Sequence, residues 1–212
     1  MNRAFFSRMA QIVNILSLSV WLGAVAMSGV VAAIVFPLMR ELDPTLGAYP
    51  GYAGDHALLG AGRIASTVFF TVDSIQFACG FIALATLAVL VALGYALNTL
   101  ARVFRLIVLC MTLGLLSYHL FFFMPGLQET LQGYWTYAAE GETVRADAFK
   151  DRFLESHGTA SRLIGSLALM VAVNIVIGVW TLTAGPKHDA DREEKMEPQS
   201  TQSTQRKKGR GR

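Results

Sequence analysis

The chain has 212 residues, 53% of them hydrophobic and only 16% charged, with a formal net charge of +3. A soluble domain averages about 25% charged residues, so the composition argues against a domain built to face water on all sides. The small net charge identifies no partner by itself; the placement of the charges carries more.

Four apolar stretches run in chain order: Ile12–Met39, Phe77–Leu97, Val103–Met124 and Ile164–Ala184. Each is long enough to cross a hydrocarbon core, which takes about 20 helical residues. Backbone polar groups in lipid must be satisfied within the segment, so each stretch is predicted to be a helix. The first follows Arg3 and Arg8, and Ala24-Val25-Ala26 resembles a signal-peptide cleavage site. Its apolar run continues to Met39, past the roughly 7–15 residues of a signal core, which fits an uncleaved first transmembrane helix. Pro37 is predicted to bend or end that helix. The loop Arg40–Gly62 is rich in turn formers, among them Pro44, Gly47, Pro50, Gly51, Gly54 and Gly60. Arg63–Gln76 has the pattern of an outward extension of the second span. In Pro125–Ser161, Leu127, Leu131, Tyr134 and Trp135 recur at helical spacing, as do Phe149, Phe153 and Leu154. Two short helices follow, either continuing the spans outward or lying on the surface.

The expected fold is an all-α membrane protein: four transmembrane helices in a compact antiparallel bundle with helical outward extensions. Residues 1–184 form the transmembrane domain and 185–212 a disordered, polar, basic tail. Arg3, Arg8, Arg102, Arg105 and the basic tail fall on one side of a four-span topology. The other side mixes its basic residues with nine acids, from Glu41 to Glu155. The positive-inside rule then puts both termini in the cytoplasm of a multi-pass inner-membrane protein. The tail has two readings, attraction to anionic lipid or a solvated segment that enforces topology. Cys79 and Cys110 lie at different depths on opposed spans, too far apart for a disulfide.

Helices in lipid associate through small residues that allow close approach. Ser19 with Gly23, Gly29 with Ala33, and Ser161, Gly165, Ala168 and Ala172 offer such faces, as do Gly80, Ala83 and Gly178. The expected partners are the bilayer and, through these faces, a second copy or another protein; nothing points to nucleic acid.

Asp73, Gln76, His119, His157 and Arg162 fall at one level, near the outer boundary of the hydrocarbon, with Asp55 and His56 close by. One reading is a metal, haem or proton site built from His119, His157, Asp73 and His56. The other pairs Asp73 with Arg162 or an imidazole and leaves the histidines to backbone and water. No His-x-x-x-His, HExxH, Ser-His-Asp order or glycine-rich phosphate loop occurs. The expectation is therefore no catalysis and no cofactor: a structural, interaction or small-solute-handling module, with metal or haem binding at the outer boundary as the alternative.

Three segments carry a likeness: Trp21-Leu22-Gly23 with an apolar run to Phe36-Pro37-Leu38, the stretch Tyr118–Pro125, and Phe153 through Ser161 with His157-Gly158 at its centre. On these the chain resembles the family named after human transmembrane protein 205, whose bacterial members form a domain of unknown function. The resemblance covers roughly Ile12 to Ala184 and implies four helices and no known enzyme activity. Its motif residues here are Trp21, Gly23, Pro37, Pro125, Phe153, His157, Gly158 and Ser161.

Overall fold

The structure, a computed structural model, describes residues 3–94 and 100–183. Residues 1–2, 95–99 and 184–212, among them the predicted tail and the predicted end of the second span, lie outside the described residues. The elements are α1 (Arg3–Leu42), α2 (His56–Ala92), α3 (Leu100–Tyr118), a π-helical turn (His119–Phe123), α4 (Met124–Ala139) and α5 (Thr143–Thr183), with no strand among the described residues. The π turn joins α3 and α4 into one rod, so four long antiparallel helices, apolar enough to cross a membrane, pack together. At about 1.5 Å per residue the 40-residue helices reach roughly 60 Å. The predicted extensions are therefore continuations of the spans.

Local chemistry sets the boundaries. Asp55 caps α2, its Oδ1 accepting from the Leu58 N–H at 2.7 Å. The α4–α5 turn places Gly141 at φ +75°, where a Cβ would be strained. Pro37 does not end α1, which continues to Leu42. Proline removes one N–H donor, a loss a long packed helix tolerates.

The termini end is packed solid around Leu18, Trp21, Leu87, Leu90, Leu109, Leu167 and Val171. Polar residues pin this core. The Arg105 guanidinium donates through Nη2 to Asn14 Oδ1 at 2.6 Å. Asn14 Nδ2 donates in turn to the Ala83 carbonyl and Thr86 Oγ1, both at 2.9 Å. Arg105 is thus no turn residue marking the cytoplasmic face. It is 2% exposed, and its guanidinium lies 3.4 Å from where a Cβ on Gly178 would stand. Ser17 Oγ donates to the Cys79 carbonyl at 2.9 Å, and Asn174 Nδ2 to Thr112 Oγ1 at 3.2 Å. Interhelical hydrogen bonds of this kind join transmembrane helices.

The predicted small-residue faces are partly corrected. A Cβ on Gly23, Gly29 or Gly165 would meet nothing within 4 Å, so these positions join no helix pair. Gly80 does: Leu113, Leu116 and Trp21 stand 3.1, 3.2 and 3.4 Å from its Cβ position. Cys79 and Cys110 are free thiols, as their depths required.

The opposite, distal end is organised as two hairpins. α1 packs closely on α2, and α4 on α5. A second core of Tyr52, Leu59, Tyr134, Ala138 and Ala146 ties the hairpins together at their tips. The space left between the two cores is the cavity described next.

Candidate functional site

The cavity holds about 550 Å³ and runs along four helices. Its walls are Val25–Phe36 of α1, Leu58–Asp73 of α2, the His119–Trp135 side of the π turn and α4, and Lys150–Gly165 of α5. Apolar and aromatic side chains dominate, with Phe36, Phe69, Phe70 and Phe153 among them. Ligand pockets commonly have this make-up, an apolar body with a few placed polar groups.

Polar groups stand at both ends, with Ser66, His157 and Ser161 between them. At the inner floor Trp21 Nε1 donates to Gln76 Oε1 at 2.8 Å, and Gln76 Nε2 donates to Asp73 Oδ1 at 2.9 Å. His119 Nε2 reaches the same Asp73 oxygen at 3.1 Å. Trp21 and His119 are fully buried, and Gln76 is 1% exposed. Asp73 keeps 13% of its side-chain surface open. His119 Nδ1 is buried and has no hydrogen-bond partner among the described residues. The residue opens the π turn and stacks on Phe123 one turn on. Inserted residues of this kind frequently mark functional sites; here the turn directs an imidazole toward α2 where the rod changes from α3 to α4.

At the distal end the hairpin tips are clasped. Tyr52 OH lies 3.1 Å from Tyr134 OH and donates to Asp147 Oδ1 at 3.3 Å, while Lys150 Nζ donates to the same carboxylate oxygen. The Ala53 N–H donates to Thr143 Oγ1 at 3.1 Å. Gly51 and Gly141 meet backbone to backbone, leaving 3.1 Å between a Cβ on Gly51 and the Gly141 Cα. Burial raises the Tyr52 phenol pKa above the usual value. A raised folded-state pKa contributes stability that is present below the unfolded value, about 10 for tyrosine, and lost as pH rises past it. Thermal unfolding monitored from pH 8 to 11 should therefore show a midpoint falling above about pH 10 in the wild type, with a smaller fall in Tyr52→Phe. An identical fall in the variant would dissociate the clasp from the alkaline transition.

The predicted site residues separate. Asp73, Gln76 and His119 come together, and the partner of Asp73 is the imidazole, not Arg162, which is exposed. His157 lines the same cavity but packs its ring on Phe153, 5.3 Å between centroids, and hydrogen-bonds neither Asp73 nor His119. His56 opens α2 and bonds the loop before it. Its Nδ1 accepts from the Leu46 N–H at 3.1 Å, so Nε2 carries the proton and donates to the Tyr52 carbonyl at 2.8 Å. Among the described residues no three His, Cys, Asp or Glu side chains are grouped to hold a metal ion.

Sequence reasoning placed Trp21 only as a motif residue and missed its role beneath Gln76. The signal was present, since Asp73 and Gln76 are spaced i,i+3 on one helix face and a buried indole N–H needs an acceptor. The aromatic walls carried no comparable signal, because phenylalanines in a membrane helix suit lipid contact equally well. No family model matches the chain, and no curated protein or solved structure matches it either.

Proposed function

We propose that the protein is a multi-pass inner-membrane protein, both termini cytoplasmic, that holds a small lipophilic molecule in its distal cavity and performs no catalysis of its own. The observation that carries this reading is the cavity itself: about 550 Å³ of largely apolar space between two hairpins, with a few polar groups along its walls. A concave, largely apolar space of this size with a few polar groups is the usual form of a small-molecule site. The orientation rests on charge. Arg3, Arg8 and Arg102 cluster at the termini end, and the acids from Glu41 to Glu155 at the distal end. Membership of the transmembrane protein 205 family is proposed with it. Supporting that likeness, Phe153, His157 and Ser161 of its motifs line the cavity, and Trp21 holds Gln76 beneath it.

Filling the cavity is the direct test. Gly165 lines the floor and a Cβ there meets nothing within 4 Å, so Gly165→Leu can begin its side chain without a clash and should take up cavity space. In nanodiscs, an apolar fluorescent probe should bind the wild type and lose at least about tenfold in affinity to the variant, with the unfolding midpoint unchanged or raised. Equal probe binding by the two proteins would refute the cavity as a ligand site.

A further inference from the structure

Given that reading of the cavity, we propose that its ligand is a lipophilic amine, bound as the ammonium with its N–H donors on Asp73. The hydrogen-bond chain under the floor has a fixed direction. An indole N–H can only donate, so the Gln76 atom 2.8 Å from Trp21 is the carbonyl oxygen. The Gln76 amide nitrogen then donates to Asp73 Oδ1, and His119 Nε2 donates to the same oxygen. Both donors converge on Oδ1. No described side chain donates to Oδ2, and Asp73 itself lines the cavity. His119 Nδ1, the remaining ring atom, is an acceptor in the neutral imidazole. The floor therefore offers acceptors, and a ligand's polar end must donate.

Charge narrows the class further. With His119 as the neutral imidazole, Asp73 gains no counter-charge from this partner, and a carboxylate facing apolar space is unfavourable until one joins it. A hydroxyl supplies the donor without the charge; a quaternary ammonium supplies the charge without the donor; a protonated amine supplies both. Phe36, Phe69, Phe70 and Phe153 add ring faces, which attract cations. The cation on the cavity wall, Lys150, opposes this little. Its Nζ is held by Asp147, and it stands near the distal end, roughly 22 Å of helix rise from Gly165 at the floor. The unpartnered Trp135 Nε1–H belongs to that distal end too, roughly 24 Å of rise along the rod from His119.

The test uses the full chain in zwitterionic nanodiscs, with empty discs as reference, at neutral pH. Three probes share one body: 4-phenylbutylamine, 4-phenylbutanol and the trimethylammonium analogue of the amine. The amine should bind about tenfold more tightly than either of the others. Asp73→Asn should bring the amine to the level of the alcohol while leaving the alcohol within about twofold. The probe series is read on the wild type, so it decides the matter even where the variant fails to fold. Equal affinities for amine and alcohol would overturn the ammonium assignment and leave the cavity reading standing. Equal affinities for amine and trimethylammonium would overturn the donor assignment. No binding of any of the three would remove the cavity reading along with the proposal.

Discussion

Replacing Asn14 with leucine should lower the unfolding free energy by about 2 kcal/mol, the range expected when a buried charge loses one short hydrogen bond. The Arg105 guanidinium is 2% exposed and gives Asn14 Oδ1 its shortest hydrogen bond, 2.6 Å. Leucine fills the space but accepts nothing, and water is remote from a core of leucines and valines. Thr86 loses little, since its Oγ1 also bonds the Ile82 carbonyl at 2.7 Å. The companion variant makes the cause visible. Asn14→Leu combined with Arg105→Met removes the charge together with its acceptor, and should recover to within about 1 kcal/mol of the wild type. Denaturant titration in detergent micelles on the four proteins of the cycle measures both numbers. Strict additivity of the two substitutions would show that Asn14 does not hold the guanidinium.

The second large effect belongs to Trp21. It is fully buried, fills the space beside Gly80 and is the donor beneath Gln76. Trp21→Ala should cost about 4 kcal/mol, the usual loss for a large aromatic in a packed core. Trp21→Phe keeps most of the packing and removes only the N–H, leaving Gln76 Oε1 unpaired, and should cost about 1–2 kcal/mol. The gap between the two variants separates packing from hydrogen bonding. The phenylalanine variant also frees the Gln76 amide to turn over, so its amine affinity should fall although Trp21 touches no ligand. Equal costs for both variants would mean that the hydrogen bond, not the ring, carries the effect.

The architecture was legible in the chain because the bilayer permits few solutions. Twenty apolar residues in lipid have little choice but a helix, and four such runs with polar turns give an antiparallel bundle. The extensions were legible too, since Leu127, Leu131 and Tyr134 repeat at helical spacing and are buried as that spacing requires. Depth counting brought Asp73 and His119 to one level, and they do meet. The same counting grouped His157 and His56 with them. For His157 it fails because depth fixes height along a helix but not direction around it, and the ring turns to Phe153. For His56 the height itself is wrong, since that residue opens α2 roughly 25 Å of helix rise beyond Asp73. Arg105 was misplaced for a related reason. Three residues past Arg102, it lies one helical turn further in and faces the bundle, where the rule that assigns arginines to cytoplasmic loops does not apply. The cavity itself was hidden, because it is an absence of packing between hairpins and no single residue announces it.

The length of the helices has a consequence for how affinity should be expressed. Rods of roughly 60 Å are about twice as long as a 30 Å hydrocarbon core is thick, so half of each stands clear of it. Counted from Arg102, the cavity floor at His119 lies roughly 25 Å along the rod, close to where hydrocarbon gives way to headgroups. An amphiphile partitions into that layer before it meets the protein. Occupancy then follows the ligand's mole fraction in the leaflet rather than its aqueous concentration. Doubling the lipid at fixed total ligand should dilute the bound state much as halving the ligand would, and a dissociation constant quoted per litre of buffer would describe the membrane as much as the site.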